Sequence, residues 1–86
     1  MGACSMSSWY VYLLLCKDGS LYTGITTDVA RRMAQHQSGT GSAYVRSKGF
    51  QQLLAFQVCT SRSDALHKEY QIKQLPKEEK RKWFSN

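Results

Sequence analysis

The sequence is short of most features that mark specialised architectures. A single proline in 86 residues excludes a proline-rich linker, and no internal repeat or low-complexity tract is present. The three cysteines, Cys4, Cys16 and Cys59, are odd in number and form no C-x-x-C pair. Neither a disulfide framework nor a structural zinc site is therefore indicated, and buried reduced thiols are expected. No apolar run approaches the ~18 residues that span a bilayer. The longest, Trp9 to Cys16, also lacks the charged flank and cleavage site of a signal peptide. The chain is expected in the cytoplasm and away from membranes. Carboxylates are scarce as well, with 6 Asp+Glu against 12 Lys+Arg and a net charge of +6.

The length leaves room for one small domain that buries roughly 64% of its unfolded surface. A hydrophobic fraction of 42% and an aromatic fraction of 12% lie outside the regime of disordered chains. The charge is unevenly placed. Between Val29 and Thr60 the charged residues are Arg31, Arg32, Arg46 and Lys48, with no carboxylate among them, which makes a polyanion a plausible partner.

Residues 1–8 carry no periodic pattern and are expected to be a disordered terminus outside the fold; residues 9–84 form the single domain. Trp9 to Cys16 and Leu21 to Ile25 are β-forming runs around Lys17-Asp18-Gly19-Ser20, the pattern of a hairpin. A two-residue loop would put Tyr12 and Tyr22 on opposite faces. A three-residue loop with Gly19 left-handed would pair Leu14 with Tyr22 and turn both tyrosines the same way. The residues permit either.

Thr27 or Asp28 can cap a helix over Val29 to Ser38, with Gly39 as its stop. Gly39 to Gly49 reads as a mobile Gly/Ser-rich loop carrying Tyr44, Arg46 and Lys48. Phe50 to Cys59 is a third strand, expected to be largely buried through Leu53, Leu54, Phe56 and Val58. Ser61 or Ser63 caps a helix from about Asp64 to Gln74. Pro76 ends that helix and opens another, Lys77 to Phe84. The order ββαβαα is α/β (α+β) in class, a small three-stranded sheet flanked by helices.

Among the carboxylates, Asp18 sits in a turn, Asp28 and Asp64 at helix starts, and Glu78 and Glu79 in a solvated run. Glu69 alone lacks such a role. It falls between Leu66 and Ile72, where an ionised carboxylate needs a cation, either Arg32 or a metal. Arg32 and His36 are an i, i+4 pair able to converge on one pocket. Tyr10, Tyr12 and Tyr22 give the hairpin a high density of phenols, which strand propensity and packing would also explain.

Taken in order, Tyr10-Val11-Tyr12, Tyr22-Thr23-Gly24, Arg32, His36 and a helical Glu69 resemble the GIY-YIG nuclease family. The stretch from Trp9 to about Lys80 is similar to small stand-alone bacterial members. Leu21 to Asp28, Arg31-Arg32, His36, Gly39, Tyr44 to Arg46, Ala65-Leu66 and Glu69 to Lys73 carry the likeness. The first triplet has Tyr10 and Val11 where the family name has Gly and Ile, the second has Thr23 for Ile, and no late Asn matches the family's. The resemblance implies a GIY-YIG endonuclease fold, an antiparallel sheet and the three-residue hairpin loop, because both motif tyrosines face the family's active site.

It further implies phosphodiester hydrolysis. Tyr12 would take a proton from the attacking water, Arg32 would bind the scissile phosphate, and Tyr22 and His36 would position phosphate and phenol. Glu69 would hold one Mg²⁺ or Mn²⁺. A free phenol with a pKa of about 10 is a poor base at neutral pH, so Tyr12 needs Arg32, His36 and the metal to lower it. DNA would be held by Arg31, Arg46, Lys48 and Lys73, with help from Lys80 to Lys82, while Tyr44 stacks on an unpaired base. Branched or damaged DNA is the expected substrate, in repair or recombination, with a protein partner supplying specificity. The competing readings are a nucleic-acid-binding or repair-partner module with little cleavage of its own, and a structural interaction domain.

Overall fold

The computed structural model describes residues 8–85; Cys4 and all of the N-terminal segment but Ser8 lie outside them. The elements are β1 (Trp9–Cys16), β2 (Leu21–Thr26), α1 (Val29–Ser38), α2 (Ala43–Lys48), β3 (Phe50–Cys59), α3 (Arg62–Lys73) and α4 (Lys77–Ser85). They build a three-stranded antiparallel sheet in the order β2-β1-β3, flanked by helices. The ββαβαα frame is as expected, with one short helix more. α2 occupies what reads as loop in the sequence, because Ser42 lies in extended backbone ahead of Ala43 and Gly49 ends the turn at φ 85°. Gly and Ser at the ends of a six-residue segment are the punctuation of a short helix as readily as of a loop.

The hairpin closes with the three-residue loop. Gly19 takes φ 90°, its N–H donates to Cys16 O at 2.9 Å, Cys16 N–H donates to Ser20 O at 2.9 Å, and Leu14 pairs with Tyr22. Tyr10, Tyr12, Leu14 and Cys16 consequently share one face of β1 with Tyr22 and Gly24 of β2, and Trp9, Val11, Leu13 and Leu15 share the other.

β1 is the central strand and is covered on both sides, which explains its nearly unbroken apolar sequence. On one side Val11 packs with Cys59, Ala65 and Ile72, edged by Trp9, Ile25, Trp83 and Phe84. On the other, Tyr12, Leu14, Cys16 and Val45 pack with Tyr22, Met33, Phe50 and Leu53. Cys16 and Cys59 are free and buried, as expected.

β3 departs from simple alternation. Its register against β1 shifts between Leu13 and Leu14 and again between Leu15 and Cys16. Two bulges bring Phe50, Leu53, Phe56 and Val58 onto the Tyr12 face at spacings of three, three and two. The expectation that β3 is largely buried is corrected here: Phe56 and Val58 are 53% and 55% exposed, because β3 is an edge strand and the packed clusters on this face stop at Phe50 and Leu53.

α3 starts two residues before the expected Asp64. Ser61 Oγ accepts from Asp64 N–H at 3.1 Å, and Asp64 Oδ2 accepts from Thr60 N–H at 2.9 Å, a reciprocal cap close to the capping box. Only Ala65 and Ile72 of this helix are buried, while Leu66 and Tyr70 face outward. After Pro76, Lys80 Nζ turns back to donate to the α3 carbonyls Ile72 O and Lys73 O at 2.9 and 3.3 Å. Lys80 thus closes the α3 C-terminus, a structural role beside the one expected for it among the DNA-binding cations. Among the described residues no helix is long and apolar enough to cross a membrane.

Candidate active site

Tyr12 is the centre of the Tyr12 face. It lies opposite Gly24 on β2 and Phe56 on β3, with no exposed surface. A Cβ on Gly24 would come 2.5 Å from Tyr12 Oη and 2.7 Å from its Cζ, so the phenol lies across a strand position that only glycine leaves open. The third residue of the second triplet is in this way the seat of the first triplet's tyrosine.

α1 brings two side chains to the same place. Asp28 caps it by accepting from Arg31 N–H at 3.0 Å, and Gly39 ends it at φ 87°. Within those ten residues Arg32 and His36 fall one turn apart. His36 is 2% exposed, and its Nε2 lies 2.9 Å from Tyr12 Oη. The Tyr12 and His36 ring centroids are 5.9 Å apart, and Tyr22 lies 6.3 Å from Tyr12 and 5.7 Å from His36, all at tilted or edge-on angles typical of packed aromatics. Arg32 Nη1 donates to Gln35 Oε1 at 3.1 Å, and among the described residues its buried Nε has no hydrogen-bond partner, nor has His36 Nδ1.

Burial and charge set the protonation of the pair. Burial pushes the Tyr12 phenol up to about 12; a hydrogen bond and the charge of Arg32 pull it down, while the Tyr22 and Glu69 charges push it further up. Burial also lowers the His36 imidazole, and the Arg32 charge lowers it again. At neutral pH the contact therefore joins a protonated phenol to an uncharged ring. Arg32 is too weak to offset burial, so the expected lowering of Tyr12 does not occur in the free protein.

Glu69 stands on α3, whose helix packs against β1 and β2. Its carboxylate is 19% exposed and is paired with Lys73 at 3.4 Å, one turn along the same helix. The compensating cation is Lys73, where the sequence suggested Arg32 or a metal. Among the described residues no three His, Cys, Asp or Glu side chains cluster as a metal centre. A lone carboxylate fits a hard divalent cation that keeps its waters and borrows substrate oxygens; it does not fit zinc or softer metals.

The expected DNA-contacting residues divide into two groups. Arg31 and Arg46 are exposed and take part in no ion pair among the described residues. Lys73 is held by Glu69, and Lys48 is held by Asp18 at 3.4 Å. Tyr44 on α2 stacks on Tyr22, with centroids 5.6 Å apart and planes 27° apart, and remains 42% exposed. Beside it opens a groove of about 380 Å³ lined by Lys17, His36, Gly39, Arg46 and Phe50, among others.

Sequence reasoning missed Phe50, whose ring stacks on His36 at 6.4 Å and 15°, and Gly41, where a Cβ would come 2.6 Å from His36 Nδ1. Phe50 owes its place to the two bulges in β3, for which the residues carry no local signal. Gly41 was legible only as loop punctuation.

Comparison with known proteins agrees with this geometry. A family profile described as the GIY-YIG catalytic domain matches residues 8–82. A UPF0213 protein of Cronobacter sakazakii (strain ATCC BAA-894) is 55% identical over 75 residues, covering 87% of this chain and 79% of the relative. One from Yersinia pestis (strain Pestoides F) is 53% identical over 78 residues, covering 91% and 82%. The solution structure of protein EF2693 from E. faecalis matches with a TM-score of 0.65 at 36% identity, covering 94% of this chain and 86% of that one. With the family profile spanning residues 8–82, the chain belongs to the GIY-YIG catalytic domain family, whose function is of nuclease type.

Proposed function

We propose that this protein is a metal-dependent endonuclease that hydrolyses phosphodiester bonds in DNA, acting on branched or damaged DNA in cytoplasmic repair or recombination. The observation that carries the reading is the convergence of Tyr12, Tyr22, Arg32 and His36 on one face of the hairpin, with the Tyr12–His36 contact at 2.9 Å. Hydrolysis of a phosphodiester needs a base for the attacking water and positive charge on the phosphate in the transition state. Tyr12 is assigned the base. His36, held neutral by burial and by Arg32, shares the hydrogen bond that orients the phenol. Arg32, whose buried Nε has no hydrogen-bond partner among the described residues, is assigned the scissile phosphate, and Tyr22 flanks it.

Glu69 would hold Mg²⁺ or Mn²⁺, and such an ion supplies the cationic field that lowers the phenol's pKa and neutralises charge on the phosphate. Arg31 and Arg46 hold flanking phosphates, Lys48 and Lys73 join them on exchanging their carboxylate partners for phosphate, and Tyr44 offers its exposed ring to an unpaired base. Target choice rests on DNA shape or on a second protein.

A second reading, a binding module with little cleavage of its own, is favoured by two features: Tyr12 is fully buried, which pushes its phenol up to about 12, and Glu69 is already paired with Lys73. Supercoiled plasmid and branched oligonucleotides incubated with Mg²⁺, Mn²⁺ or EDTA separate the two. The nuclease reading expects metal-dependent nicking that drops about 10²- to 10⁴-fold in Tyr12→Phe and is lost in Glu69→Ala. Retained binding without nicking in any metal supports the module.

A further inference from the structure

The solvent-facing end of the Tyr12 face carries an apolar patch that the assignments above leave unused. Phe56 lies directly opposite Tyr12, and Val58 opposite Tyr10, on the edge strand β3. Phe56 and Val58 are each more than half exposed. Tyr10, the residue that stands where the family motif has glycine, sets its ring edge-on against Phe56, with centroids 6.0 Å apart and planes 79° apart. The patch is thus held in a defined geometry on the strand position directly opposite Tyr12.

We propose that Phe56, with Tyr10 and Val58 as its walls, is a stacking platform for an unpaired nucleobase next to the scissile phosphate, so that the substrate class is nucleic acid with a single-stranded segment at the cleavage point. This deepens the nuclease reading and rests on it for the position of the phosphate. Directly opposed residues on neighbouring strands sit about 5 Å apart at Cβ, within one nucleotide of a phosphate at Tyr12. On the other side of Tyr12, the partly exposed Tyr44 stacks on Tyr22, so aromatic faces flank the phenol in both directions. Exposed rings on a sheet face beside cationic side chains are what sequence-tolerant binding of single strands needs, because every base has a π-face and every link a negative charge.

Charge selects this occupant over a second copy of the chain. Two copies would each bring a net charge of +6, whereas a nucleic acid complements it.

The test is titration of the full chain, in EDTA, with fluorescein-labelled dT12 and with a 12-base-pair duplex at several salt concentrations. Phe56→Ala is expected to weaken dT12 binding about 5- to 150-fold, to leave duplex binding within twofold, and to leave the salt slope unchanged. Phe56→Tyr is expected to bind as the wild type does. Retention of single-strand affinity in Phe56→Ala, or equal losses on both probes, overturns the platform. So does a wild-type dimer that becomes monomeric in Phe56→Asp, since the patch is then a contact between copies. Because binding is read without metal, ring-dependent single-strand binding without nicking overturns only the nuclease reading, whereas nicking with ring-independent binding overturns only the platform.

Discussion

Neighbouring residues of β1 serve two unlike surfaces. Val11 looks toward α3 and α4 and meets Cys59, Ala65 and Ile72; the next residue, Tyr12, looks toward α1 and α2 and meets a histidine through its hydroxyl. The first face is sealed by Trp9, Trp83 and Phe84 and contributes hydrophobic burial. The second has a core at Leu14, Cys16 and Val45, but rings with polar tips, an arginine and open ground at Phe56 and Val58 surround it. Cations divide in the same way. Lys80 caps a helix on the first side, whereas Arg31 and Arg46 on the other side are exposed and have no carboxylate partners among the described residues. A small domain can keep a partly polar site because the opposite face supplies apolar burial without that burden.

Perturbing each face should therefore give different readouts. The largest effect is expected from Ile72→Ala, which empties a fully buried position on the α3/α4 face. Urea denaturation should show a loss of about 2–5 kcal/mol, with nicking per folded molecule unchanged. Next, Gly24→Ala forces a methyl against Tyr12 Oη. A stability loss of about 1–3 kcal/mol should accompany loss of nicking, and wild-type nicking in this variant would mean that the phenol does not need its seat.

The pH dependence of stability sharpens the contrast further. His36 is held below its ordinary value of 6.5 by burial and Arg32, so the unfolded chain takes up that proton first. Its contribution to stability is complete above about pH 6.5 and is lost as pH falls toward the lower folded value, with a slope of at most about 1.4 kcal/mol per pH unit. Tyr12, raised from 10.0 to about 12, acts in the opposite direction: its contribution is complete below pH 10 and is lost between 10 and 12. Denaturation midpoints across these windows should flatten in His36→Gln at the acid end and in Tyr12→Phe at the alkaline end.

The smallest effect separates the two kinds of cation. Lys80→Ala should cost about 1 kcal/mol through its two lost carbonyl bonds and leave the salt slope of DNA binding alone. Arg46→Ala should reduce that slope by about 1 and leave the melting midpoint alone. A Lys80 variant with normal stability and weakened DNA binding would reverse the assignment.

Much of the site was legible in the residues. Tyr12, Tyr22, Arg32 and His36 gather as the motif order implies, because hairpin register and helical spacing are local properties: a left-handed Gly19 fixes which tyrosines share a face, and four residues make one helical turn. Glu69 was singled out for lacking a role, yet its partner Lys73 sits four residues on, an ordinary helical ion pair. The exposed end of β3 was not legible, since an apolar run reads the same whether or not a neighbour covers it.

The sequence by itself determined the ββαβαα frame, a hairpin around Lys17 to Ser20, and helix starts near Thr27 or Asp28 and near Ser61 or Ser63, each set by contacts within a few residues, and an ordered motif named the candidate site residues. Only the tertiary structure decided the protonation of the site and its surroundings. Burial that raises Tyr12 and lowers His36, bulges that carry Phe50 under the imidazole, and the uncovered Phe56 opposite Tyr12 on the edge strand all arise from packing between residues distant in the chain, and local pattern does not encode desolvation or which strand lies at an edge.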